Sequence, residues 1–177
     1  MDYFSFYDLP VSFQPDPARV KQQFYALSKK YHPDFYINES EQKQAEVLEL
    51  STLNNKAYQL LSDPQKRLHY ILELKGMLAE GEQYNLPQEF LMEMMEVNEE
   101  LMDLQFDPDA AKLAVIKGQV AEISLTLDSS LEILTSGFEE QDSAAQGETL
   151  KRVKDIYFRK KYLTRINDSI AKLGAVG

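Results

Sequence analysis

The sequence predicts an all-α protein built from two helical units. Three observations carry that prediction: apolar residues recur at helical spacing, three Asp-Pro pairs punctuate the chain, and no alternating strand pattern with hairpin turns occurs. Each Asp-Pro pair reads as a helix start, because aspartate caps a helix N-terminus well and the fixed φ of proline suits the first turn. The chain has 177 residues, and 44% hydrophobic side chains are enough to bury a core. Seven glycines and seven prolines exclude collagen-like or low-complexity character.

After Asp16-Pro17, Val20, Phe24, Leu27 and Tyr31 recur at i, i+4, i+7 and i+11, one face of a helix that ends near Pro33. Asn38 or Ser40 then opens a longer helix carrying Leu50, Leu53, Ala57 and Leu61 at helical spacing. These two helices face each other across a loop at 32–39. A short helix after Asp63-Pro64 runs through Leu68, Ile71 and Leu72 and stops at Gly76. Residues 76–87 contain two glycines and no sustained periodicity, so they read as a connector. Beyond them come helices over Pro87–Leu104, Pro108 to about Ser136, and about Ser143 to Leu173, a bundle of antiparallel neighbours. Gly118 inside the middle one costs about 1 kcal/mol relative to alanine. The expected organisation is an N-terminal helical hairpin with accessory helices over 1–75, a connector over 76–87, and a C-terminal three-helix bundle over 88–177.

Composition narrows the chemistry. With no cysteine there is no disulfide, thiolate zinc site or cysteine nucleophile, and His32 and His69 are the only imidazoles. Neither a paired-histidine motif such as H-E-x-x-H nor a phosphate loop is present, so no enzyme, cofactor or metal site is expected. A net charge of -10 argues against nucleic-acid binding. No apolar run approaches the ~20 residues of a membrane helix, and Met1-Asp2-Tyr3-Phe4 has no positive segment before an apolar stretch, so a cytoplasmic setting is expected. Residues 76–150 carry 17 acids against Lys112 and Lys117, whereas 148–173 hold eight bases, a distribution that predicts helices neutralising one another. From Pro17 to Tyr31 there are Arg19, Lys21, Lys29 and Lys30 and no acid. In an acidic protein that face is a candidate docking surface for an acidic partner.

The tripeptide His32-Pro33-Asp34 follows this basic helix directly, so a stiff turn presents an imidazole and a carboxylate beside a cationic surface. His32 and Asp34 have no nucleophile or metal beside them, which makes binding rather than catalysis their role. His69 has no second spaced ligand and reads as structural or solvated. Tyr31-His32-Pro33-Asp34 sits after Phe24-Tyr25-Ala26-Leu27-Ser28-Lys29-Lys30, and Leu53-Asn54-Asn55-Lys56-Ala57-Tyr58 through Asp63-Pro64 and Lys66-Arg67-Leu68-His69-Tyr70 follow in order.

At these residues the sequence resembles a J domain, the module by which DnaJ-type co-chaperones stimulate ATP hydrolysis by DnaK-class chaperones. The start Met1-Asp2-Tyr3-Phe4, the single helical extension, and Phe90-Leu91-Met92-Glu93 followed by Glu99-Glu100-Leu101 narrow the resemblance to the HscB family of iron–sulfur cluster co-chaperones, over nearly the whole chain. It implies a protein that binds the cluster scaffold IscU through its C-terminal bundle and presents it to the chaperone HscA through the J domain. A helical adaptor that does not stimulate a chaperone is the alternative. Phe35 stands where many J domains have lysine, the zinc module and Gly/Phe-rich linker of general DnaJ proteins are missing, and so is the cysteine tetrad of eukaryotic HscB relatives, as in the bacterial form. The chaperone-binding residues implied are His32, Pro33, Asp34 and Tyr31, with Lys29, Lys30, Lys21 and Arg19 on the basic helix.

The helix after Pro87 has more apolar surface than one contact needs. Phe90, Met94, Val97, Leu101 and Leu104 form a core stripe, while Leu91, Met95 and Met102 lie roughly 100–140° around the helix from Phe90. That second stripe needs cover, from another part of the chain or from a partner. Met92, Glu96, Glu99 and Asp103 border it, a methionine-rich patch with an acidic rim that suits a reversible interface. By the same resemblance, Leu91, Met92, Met95, Glu96, Glu99, Asp103 and Phe158 fall at the positions by which HscB proteins grip the scaffold. Phe158, from the last helix, would then lie alongside the Pro87 helix.

Overall fold

The structure, a computed structural model, describes residues 1–176 and divides into two compact units, 1–76 and from Met77 onward. The described residues form helices and turns without a strand. In the first unit these are α1 (Tyr3–Phe6), α2 (Pro17–Lys30), a 3-10 turn (Pro33–Tyr36), α3 (Glu41–Ser62) and α4 (Pro64–Leu74). Each start is capped by its own sequence. Asp16 accepts from the Ala18 N–H, Ser40 from the Lys43 N–H, and Asp63 from the N–H groups of Gln65 and Lys66. Gly76 ends the unit in the left-handed region at φ 69°, which glycine adopts without steric cost.

α2 and α3 pack antiparallel. Phe24 stacks on Tyr58 at 4.2 Å between ring centroids, and Val20, Ala57 and Leu61 fill the seam. The N-terminal residues close it: Phe4, Tyr7 and Leu9 are buried in the same core. At its centre is a polar side chain, Asn54, whose Oδ1 accepts from Tyr7 Oη (2.8 Å) and whose Nδ2 donates to the Phe24 carbonyl (3.1 Å) and Ser28 Oγ (3.0 Å). One buried amide therefore ties the N-terminal segment, α2 and α3 together, with its polar atoms satisfied. Arg67 on α4 adds a second cross-link, donating from Nε to the Phe13 carbonyl and from Nη1 to the Leu61 carbonyl.

The second unit holds α5 (Gln88–Phe106), α6 (Ala110–Thr135), a short 3-10 turn (Phe138–Glu140) and α7 (Ser143–Val176). Phe90, Met94, Val97, Leu101 and Leu104 are buried against Ile116 and Val120 of α6 and Ile156, Leu163, Ile166 and Ile170 of α7, so the core stripe expected on α5 is in place. α6 runs unbroken through Gly118. The third Asp-Pro pair, however, does not start a helix. Asp107 closes α5, its N–H donating to the Asp103 carbonyl, and α6 begins two residues after Pro108 with Asp109 accepting from the N–H groups of Ala111 and Lys112. The reason is local: a second aspartate follows the proline and supplies the better-placed carboxylate.

Charge neutralisation takes the expected form. Lys160 on α7 meets Asp128 on α6 at 2.6 Å, and Lys154 meets Glu82 at 2.6 Å. The second contact shows that the residues before α5 are not a free strap. Tyr84 stacks on Phe158 with centroids 4.5 Å apart and rings 7° from parallel, its Oη donates to Asp155 (2.8 Å), and Leu86 packs on the bundle core.

Candidate functional site

The first candidate surface is the turn after α2. Tyr36 Oη donates to the Lys30 carbonyl at the end of α2 (2.8 Å), and Gln44 Nε2 donates to the Glu39 carbonyl (2.8 Å), so both ends of the turn are fastened to the hairpin. His32 caps the 3-10 turn: its Nδ1 accepts from the Asp34 N–H at 3.3 Å. The Asp34 carboxylate also lies 3.7 Å from Nδ1, a contact that needs a protonated ring and is beyond hydrogen-bond reach. The backbone contact is the shorter of the two, and it engages Nδ1 rather than Nε2. The side chains of His32 and Asp34 are 53% and 83% exposed, so both remain open to solvent.

Beside this turn, Arg19, Lys21, Lys29 and Lys30 are exposed on α2 and Tyr31 is half-buried. Lys21, Tyr25 and Lys29 recur every four residues, which places them in one stripe; Lys21 Nζ lies 6.0 Å from the Tyr25 ring, and Lys30 Nζ 5.2 Å from the Tyr31 ring. Tyr25 and Phe35 are exposed, Phe35 with its ring 5.7 Å from that of His32. The basic surface thus carries aromatic side chains that counting charges does not register.

The second candidate surface is on α5. Leu91, Met92 and Met95 are exposed, as are Glu96, Glu99 and Asp103. The second stripe is not covered by the bundle. Phe158 differs from these six. It is half-buried, with one ring face closed by Tyr84 and an edge-to-face contact to Tyr157 at 5.1 Å. Its segment of α7 does run along α5: Arg159 lies over the Phe90 ring at 5.3 Å, Tyr162 meets Phe90 edge-on at 6.0 Å, and Asn98 Nδ2 donates to Tyr162 Oη (3.2 Å).

Sequence reasoning missed Asn54, although Val47, Asn54 and Leu61 share a seven-residue spacing on the buried face of α3. It also missed Tyr84, which no periodicity marks. Burial, then the Asp155 carboxylate that accepts its proton, pushes the Tyr84 phenol up to about 12. Among the described residues no three acidic or imidazole side chains converge as a metal site, and no helix is long and apolar enough to cross a membrane.

Residues 5–70 match the DnaJ domain family, and residues 86–171 match the family described as the HSCB C-terminal oligomerisation domain. The co-chaperone protein HscB homolog of Vibrio cholerae serotype O1 is 31% identical over 96% of this chain and 99% of its own length. The human iron-sulfur cluster co-chaperone protein HscB is 29% identical over 96% of this chain and 67% of its own. Among solved structures, chaperone HscB from Vibrio cholerae superposes with a TM-score of 0.75 at 28% identity, covering 99% of this chain and 98% of that one. The crystal structure of human co-chaperone protein HscB gives a TM-score of 0.78 at 28% identity, covering 97% and 81%.

Proposed function

The chain belongs to the HscB family of J-domain co-chaperones of iron–sulfur protein maturation, and from that premise we propose that it binds an IscU-type scaffold through α5 and presents it to HscA, a DnaK-class chaperone, whose ATP hydrolysis it stimulates. The observation that carries this reading is that one chain exposes two surfaces of different chemistry, one in each unit. The turn surface offers an exposed imidazole, a carboxylate and a run of cations; the α5 surface offers methionine and leucine with an acidic rim.

Each chemistry suits its task. Cations on α2 steer an acidic chaperone surface toward the turn, where His32 and Asp34 make short-range polar contacts whose geometry Pro33 holds in advance. Soft thioether and leucine side chains bind a scaffold reversibly, which delivery requires, since the cargo must be released. Proposed chaperone contacts are His32, Pro33, Asp34, Tyr31, Lys29, Lys30, Lys21 and Arg19. Proposed scaffold contacts are Leu91, Met92, Met95, Glu96, Glu99, Asp103 and Phe158.

Steady-state ATP hydrolysis by the purified HscA-type chaperone, with and without this protein, tests the reading. We expect stimulation by the wild type and its loss in His32→Gln, with helicity unchanged. Absence of stimulation by the wild type would leave a helical adaptor; full stimulation by the variant would remove the turn from the mechanism.

A further inference from the structure

The exposed apolar surface of α5 extends beyond the positions assigned above. Leu91, Met95, Met102 and Phe106 fall within about 60° of arc on an ideal helix and run about 22 Å along it. Met102 is 59% exposed and Phe106 85% exposed, in the last turns before the Asp107–Asp109 connection. Single exposed hydrophobes are ordinary, but four within one narrow arc of a single helix share one face, as two pairs each a turn apart internally. Its two edges differ. Glu96, Glu99 and Asp103 line one side, while the other carries uncharged Asn98, which donates to Tyr162, and Gln105.

We propose that the scaffold interface runs the whole length of α5, with Met102 and Phe106 as a second pair of anchors beyond Leu91 and Met92. The complementary surface is an apolar strip with cationic side chains along one edge only. That asymmetry makes the docking directional, because reversing the partner would set its cations against neutral Asn98 and Gln105. A flexible thioether and a terminal aromatic are the side-chain types enriched at interface centres. This inference rests on the scaffold-binding reading and adds to it the register and reach of the contact.

Scaffold affinity by titration calorimetry on the full chain tests it, with urea unfolding of each variant as the folding control. Met102→Ala and Phe106→Ala should each weaken scaffold binding about five- to tenfold, the loss typical of an interface anchor, without moving the urea midpoint. Leu125→Ala, which removes an equally exposed leucine on α6, should change neither. If Leu91→Ala weakens binding while Met102→Ala and Phe106→Ala do not, the extension is wrong and the scaffold reading stands. If none of the α5 variants weakens it, both are wrong. If Phe106→Ala instead abolishes self-association and leaves scaffold affinity intact, the strip belongs to a second copy of this chain and the proposal is overturned.

Discussion

His32 Nδ1 is occupied by the Asp34 N–H, which leaves Nε2 as the ring nitrogen for the proposed chaperone contact. Glutamine at this position keeps polarity but not the ring geometry, so His32→Gln should separate the proposed docking chemistry from folding. Tyr84 shows the opposite economy, since its phenol serves the fold. A phenol held near 12 in the folded protein ionises near its ordinary value of 10 once unfolded. Its stabilising contribution is therefore fully present below pH 10 and is lost as pH rises from 10 through about 12. Burial also raises the Tyr7 phenol, so the first unit loses stability in the same direction. Alkaline unfolding followed by circular dichroism should show a shallower loss between pH 10 and 12 in Tyr84→Phe than in the wild type; an unchanged slope would mean that the phenol does not keep this buried, Asp155-paired setting in solution.

Helices with strong periodicity were legible in the sequence, and elements held by irregular contacts were not. The α2–α3 hairpin and the core stripe of α5 follow from apolar spacing alone. The packing of Phe4, Tyr7 and Leu9 does not, because a four-residue helix and a loop have no period to read. Cap placement shows the limit most sharply. Asp107-Pro108 has the same dipeptide as the two true starts, yet Asp109 makes the hydrogen bonds. Asp109→Ala should destabilise the protein by about 1 kcal/mol in urea unfolding, and Asp107→Ala by less than about 0.5 kcal/mol; equal effects would contradict the assignment. On α2 the four exposed cations are proposed to steer the chaperone as a set. Half-saturation of chaperone stimulation should shift to higher concentration as salt rises from 0.01 to 0.1 M, where the screening length falls from about 30 to about 10 Å. A flat response would remove electrostatic steering while leaving the turn contact in place.

At the scale of the whole molecule, the division at Gly76 puts the two candidate surfaces on different units, each with its own core. Damage to one surface should then leave the other working. The cluster of Tyr84, Asp155, Lys154 and Glu82 fastens the residues before α5 to α7, so test variants are best confined to the exposed side chains of α5 itself. Truncating Phe158 would disturb that packing as well as any interface. The most direct test of the two-surface account measures scaffold affinity and chaperone ATPase stimulation in parallel on His32→Gln and on the Leu91→Ala, Met92→Ala double variant. The account predicts a crossed result: His32→Gln retains scaffold affinity and loses stimulation, while the double variant loses at least about tenfold in scaffold affinity, stays folded in urea, and still stimulates the chaperone in the absence of scaffold. Loss of both activities in either variant, with folding intact, would contradict it.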